Sequence, residues 1–232
     1  MKQITLNDYY IHYNDLVSFL DLAKNETVDW KKRLFIRQLI LKACFSLESL
    51  MNQMLILFSR YKDMPELFDH IEKLATIDKI VSLHAICIGE RDPILKKSEH
   101  LYSQIKELFS IRNDWVHGKS RSRINAEQDG KMGWSDKSGK YLGEFPYLKI
   151  PSGINLKAAT KIPVNPFEFE IRHGETCVNI VDEIEKRVCT NFNISKDEIH
   201  SLTLYDEDGK KVGVYPIHMV WGAYSPKKSK EV

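Results

Sequence analysis

Between residues 28 and 62 two apolar series interleave at seven-residue spacing: Ile36, Ala43, Leu50, Leu57 and Ile40, Leu47, Met54, Tyr61. Such a repeat lines one seam of a long helix. A further stripe on the same segment reads Leu41, Phe45, Glu48, Asn52 and Leu55. The predicted helix is therefore apolar on more than one side, which is the pattern of a helix at the centre of a bundle. It ends before Pro65, whose ring cannot sit in a helix interior. Glu48 and Asn52 interrupt the second stripe, and polar groups on such a face need partners, whether these serve structure or a site.

The flanking segments read as more helices. Tyr13, Leu16, Val17 and Leu20 set out an amphipathic helix over 8–24. Shorter helices are expected over 65–75 and 76–88, with Pro65 and Thr76 as start signals and Gly89 as a stop. A further helix runs from Ser98 towards Gly118, with Leu101, Ile105 and Leu108 at helical spacing. After Gly118 the texture changes: Gly, Ser, Pro and Lys become frequent, and short alternating segments at 132–134, 141–145 and 167–171 suggest strands. Val178, Val181, Ile184 and Val188 mark one more amphipathic helix over 175–192. Leu202 and Leu204 are expected to face Val212 and Val214 across a turn at Asp208-Gly209, forming a hairpin, with PKKSKE beyond it as a disordered basic tail. The expected fold class is mainly α, with a helical bundle over 1–118. A smaller mixed α+β region over 119–232 holds a basic loop and strand segment, one amphipathic helix and the hairpin.

Chemistry gathers where the bundle pattern ends. Arg112-Asn113-Asp114-Trp115-Val116-His117-Gly118 closes the last helix of that half, and Arg112 falls where the apolar stripe calls for a leucine. A guanidinium stays charged when covered, so a cation on an inward face needs an explanation. Asn113 and His117 share a face at i, i+4, and the long arginine stem can bring Arg112 to the same anion. Imidazole exchanges protons near neutral pH, and a guanidinium fork holds two phosphoryl oxygens. The amide can fix a phosphate oxygen or an imidazole tautomer. The same residues also suit a plain helix end, where cations meet the negative pole and Gly caps the turn.

Arg112-Asn113, followed by His117 at the end of an apolar helix, resembles the Arg-polar-x(3 to 5)-His signature of the HEPN superfamily. The segment Phe45-Ser46-Leu47-Glu48-Ser49-Leu50-Met51-Asn52 is similar to the long helix that precedes the motif in many such proteins, and which often carries an acidic or amide residue facing the site. The resemblance covers about residues 28 to 118; no family is recognised over 119–232. It implies a HEPN-like helical bundle and a metal-independent endoribonuclease of toxin-antitoxin or antiviral-defence type, with RNA as substrate. Arg112, Asn113 and His117 would be catalytic, with Glu48 and Asn52 in support. It also implies a homodimer, with an antitoxin or another regulatory partner. The alternative is a non-catalytic HEPN-like module that binds nucleic acid or a protein partner.

Composition adds bounds. The formal charge of +2 conceals a basic stretch from Lys119 to Lys161, nine Lys and Arg against four Asp and Glu. Lys119, Arg121 and Arg123 are candidates to track a nucleic-acid backbone, since phosphate contacts need only point charges. Trp134 and Tyr141 lie in the same stretch and can stack bases or anchor a hairpin. Cys44, Cys87, Cys177 and Cys189 form no Cys-x-x-Cys pair and read as reduced core thiols. His84 with Cys87 and His173 with Cys177 have helical ligand spacing, but two ligands make no zinc site, so neither metal nor cofactor is expected. No apolar run of roughly 18 residues and no signal-peptide pattern stand out, which points to the cytoplasm and no membrane.

Overall fold

The computed structural model describes residues 4–5, 8–116, 122–128, 131–136, 141–144, 156–163, 168–205 and 211–216. It is mainly helical. α1 (Asp8–Asn25) and α2 (Asp29–Phe58) form an antiparallel pair. Two short helices follow, α3 (Pro65–Glu72) and α4 (Thr76–Cys87), and then α5 (His100–Val116). Pro65 sits in the first turn of α3, and Gly89, with φ of 87°, ends α4 by returning its N–H to the His84 carbonyl at 2.9 Å.

α2 is the centre, as its double pattern predicts. Ile36, Ile40, Ala43, Leu47, Leu50 and Met54 are buried, and α1, α4, α5 and α6 (Ile171–Phe192) all pack against it. By length and composition α2 could cross a bilayer, contrary to the reading that no such run exists, but 56% of its apolar window is buried within the protein. The interior is not drawn from residues before Gly118 alone. Cys177, Ile180, Val181, Ile184 and Val188 of α6 join the same core as α1 and α2, and Ile162 enters it as well. Where α6 crosses, Gly174 brings the backbone close: a Cβ there would lie 3.0 Å from a Leu39 methyl.

α6 begins earlier than 175, and residues 168–171 form no strand. Glu170 and His173 make a capping box, each side chain meeting the other's backbone N–H, and this draws the helix start to Ile171. Its C-cap, Asn193, is left-handed at φ 50°. A short α7 (Lys196–Ile199) follows, capped by Ser195 and Glu198.

The described strands form two small antiparallel sheets. β2 (Ser122–Gln128), β3 (Lys131–Asp136) and β4 (Tyr141–Glu144) make one, in that order. β2 falls where a basic loop was expected. In the other, β5 (Ser201–Tyr205) lies between β1 (Ile4–Thr5) and β6 (Lys211–Pro216). The hairpin register is offset from the one expected: Leu202 pairs with Tyr215, Leu204 with Gly213, and Val214 with Thr203, with an irregularity between Leu204 and Tyr205. Asp208-Gly209, Phe167 and the PKKSKE tail lie outside the described residues.

One buried carboxylate ties these parts together. Glu185 on α6 accepts from the Tyr9 hydroxyl of α1, from His200 Nε2 at 2.8 Å and from Lys196 Nζ at 2.9 Å. Tyr13 donates to Asp182 at 2.7 Å, and the rings of Tyr9, Tyr10 and Tyr13 surround the His200 imidazole.

Candidate functional site

Leu101, Ile105, Leu108 and Ile111 are the buried stripe of α5. With 3.6 residues per turn the position after Leu108 falls between 111 and 112, and the isoleucine takes the interior. Arg112 therefore stands half-buried on the shoulder of the helix and not on the core line expected for it.

There its guanidinium is held from two sides. Its Cζ lies 5.7 Å from the centre of the Phe45 ring on α2, and Nη1 donates to Asn113 Oδ1 at 3.0 Å. Its Nε is buried and has no hydrogen-bond partner. Among the described residues no carboxylate pairs with Arg112. The result is an oriented, partly desolvated cation that meets no neutralising anion among the described residues.

Of the two polar residues expected to support it, Asn52 is bound elsewhere. Asn52 is engaged by α4: its Oδ1 accepts from Lys79 Nζ at 2.6 Å, and the lysine is only 3% exposed. Burial pushes Lys79 below its ordinary pKa, opposed by the carboxylates of Glu48 and Glu72. Glu48 is half-buried and acts through its field on Lys79, on His12 and on the Cys44 thiol, which also feels Arg112. The structure thus brings Arg112, Asn113 and Phe45 together and gives Asn52 to Lys79. His117, Lys119 and Arg121 lie outside the described residues, and Arg123 is in β2, opposite Ser135.

The His and Cys pairs with ligand spacing have other partners. His84 Nδ1 is 2.7 Å from the Asp92 carbonyl, and the Cys87 thiol, pushed up to about 12 by burial, points at the Met54 carbonyl. His173 Nδ1 accepts the Glu170 N–H at 2.9 Å, and Cys177 is fully buried. Among the described residues no group of three His, Cys, Asp or Glu is placed to hold a metal ion.

Next to Asn113 a cavity of about 370 Å³ opens between α4 and α5, lined by Ala75, Thr76, Ile77, Lys106, Phe109, Ser110 and Asn113. Lys106, Ser110 and Asn113 recur at i, i+4 and i+7, a polar face of α5 opposite its buried stripe. That spacing is visible in the sequence and goes unnoticed when only the Arg and His of the motif are weighed. Close by, Glu107 takes the backbone N–H groups of Ala159 and Thr160 at 2.8 to 3.1 Å, and Lys157 Nζ donates to Ser110 at 3.2 Å. These contacts seat residues 156–163 on α5.

The chain is matched by no protein-family model, no curated protein and no solved structure, so the site rests on its own geometry.

Proposed function

We propose that the chain is a metal-independent endoribonuclease of the HEPN type, acting on RNA through Arg112, Asn113 and His117. The observation that carries this reading is the state of Arg112: stacked on Phe45, bonded to Asn113, and facing no carboxylate among the described residues. A cation held in that way matches a phosphodiester in charge and in the spacing of its oxygens.

In this mechanism the substrate supplies the nucleophile. His117 removes the 2′-hydroxyl proton, the 2′-oxygen attacks phosphorus, and the bond to the 5′-oxygen breaks, leaving a 2′,3′-cyclic phosphate and a 5′-hydroxyl. Arg112 stabilises the negative charge that builds on the phosphoryl oxygens, and Asn113 holds the guanidinium in place. The helices form a HEPN-like bundle, with a smaller mixed α+β part built on residues after Gly118. A cytoplasmic homodimer would set two motifs in one cleft, with a histidine from each protomer as base and acid. Lys119, Arg121 and Arg123 would follow the RNA backbone, and an antitoxin or similar partner would restrain the activity in a toxin or antiviral-defence setting.

The test is incubation with tRNA and with single-stranded RNA in the presence of EDTA, wild type beside His117→Ala, with the product ends identified. Cyclic-phosphate or 3′-phosphate ends made by wild type alone support the reading. Cleavage that EDTA abolishes and magnesium restores overturns it.

A further inference from the structure

We propose that the α4–α5 cavity beside Asn113 is a nucleotide subsite that takes a phosphate, and the base attached to it, from the RNA strand next to the cleaved bond. This rests on the ribonuclease reading for its place in the reaction, but the cavity has its own chemistry.

Three of its polar groups, on Asn113, Ser110 and Lys106, are turned to donate. A guanidinium has no acceptor, so the Asn113 oxygen must face Arg112, and its Nδ2 is left to point away from that bond. A lysine ammonium likewise only donates, so Ser110 Oγ accepts from Lys157 and keeps its own proton for a ligand. Lys106 is exposed and has no ion-pair partner among the described residues. No carboxylate among the described residues lines the cavity, since Glu107, between Lys106 and Ser110 in sequence, is turned away onto Ala159 and Thr160.

A cavity with three such donors, one of them a cation without an ion-pair partner among the described residues, favours an anion. Its remaining walls are the apolar Ala75, Ile77 and Phe109 and the buried Thr76, and the half-exposed Phe109 ring offers a flat surface to a base. The volume of about 370 Å³ fits one nucleotide. The shared residue is Asn113, which touches Arg112 on one side and the cavity on the other, so a strand in the cavity would lie next to the guanidinium.

The experiment measures binding of a fluorescent 2′-O-methyl oligoribonucleotide, which cannot be cleaved, to wild type, Lys106→Gln, Lys106→Arg and Ser110→Ala, each with its melting temperature. AMP and inorganic phosphate serve as competitors. Lys106→Gln should weaken binding about 5- to 10-fold and flatten the salt dependence by about one phosphate contact, while Lys106→Arg binds as wild type. Ser110→Ala should weaken it by a smaller factor. AMP should compete at lower concentration than inorganic phosphate, because only AMP reaches Phe109. Wild-type affinity in Lys106→Gln, at unchanged melting temperature, overturns the subsite. AMP binding that depends on Lys106, with no oligonucleotide binding, also overturns it in favour of a free-nucleotide pocket. The two readings fail separately: cleavage without Lys106-dependent binding leaves the ribonuclease and removes the subsite. Lys106-dependent binding without cleavage does the reverse.

Discussion

The ammonium of Lys79 donates to the side-chain oxygen of Asn52 at 2.6 Å across the contact between α4 and α2. Asn52 belongs by sequence to the stripe of Phe45, which meets Arg112 of α5, yet its partner comes from α4, and among the described residues neither side chain makes another hydrogen bond. Asn52→Ala should therefore leave a covered ammonium without its acceptor and cost about 1 to 3 kcal/mol. The double variant Asn52→Leu with Lys79→Met removes both polar groups and should recover most of that loss. Urea unfolding of the three proteins checks this, and a double variant less stable than the single one would contradict it.

Arg112 lends itself to a sharper separation of chemistry from stability. Because no described carboxylate depends on it, Arg112→Ala should lower RNA cleavage by at least about 100-fold while the melting temperature moves by only a few degrees. His117→Ala should act alike on cleavage. Phe45→Leu removes the ring beneath the guanidinium and should reduce cleavage about 10-fold, whereas Phe45→Tyr, which keeps a ring, should not. A fall of more than about 10 °C in Arg112→Ala would mark the arginine as structural.

Glu185, the buried carboxylate among the described residues, makes the fold sensitive to acid. Burial alone would raise its pKa, but the hydrogen bonds from His200, Tyr9 and Lys196 outweigh burial and hold it below the ordinary value. The unfolded chain, at about 4.3, thus takes the proton more readily than the folded one. The stabilisation is complete above that value and drains away as pH falls through it towards the folded pKa. Glu185→Gln should be less stable at pH 7 and show a flatter loss between about pH 5 and pH 3. Parallel acid curves for the two proteins would refute the assignment.

His173 should produce a separate step at higher pH. Its Nδ1 caps α6 only while unprotonated, and burial, with Arg172 beside it, sets its pKa below the ordinary value. The folded state therefore resists protonation. Its contribution is intact above the unfolded value of about 6.5 and declines as pH drops below it. His173→Gln keeps an acceptor that does not titrate, so stability between about pH 6.5 and pH 5 should become level. A slope identical to wild type would rule this out.

Assembly is open to a direct measurement. α2 leaves Trp30 62% exposed, with Ile56 and Phe58 also uncovered, which is more apolar surface than one central helix ordinarily shows. Light scattering at micromolar concentration should report twice the 27.0 kDa of a single chain, as closed two-fold pairing requires. A mass of one chain would remove the two-motif cleft from the mechanism.

Helical periodicity made α1 through α5 readable in the sequence, because their buried faces repeat with the turn of the helix. α6 was readable too, apart from its start, which depends on a histidine acting as a capping acceptor and so escapes the usual Ser or Thr signal. β1 carries no comparable signal, since a two-residue strand has no period, and β2 alternates from Arg123 to Glu127 around Ile124 and Ala126, a pattern weakened by having one large apolar residue. At the site, Arg112 and Asn113 were visible as residue types. Their surroundings were not, since Phe45 and the cavity meet them only through packing among α2, α4 and α5. Spacing alone cannot say whether Ile111 or Arg112 turns inward, and the half-residue remainder of each turn decides it.

The Glu107 carboxylate, which fastens Ala159 and Thr160 to α5, also bears on how this chain can change. The polypeptide departs from α5 at Val116 and is back on the same helix by residue 159, nine positions behind its point of departure. The intervening stretch, with its sheet of β2, β3 and β4, begins and ends on one rigid support. An insertion hinged in that manner can be lengthened, trimmed or exchanged at little thermodynamic expense to its host, because closing a longer loop costs only slowly more. The bundle and the inserted piece are thereby free to diverge at different speeds, one bound by packing and the other by whatever it meets.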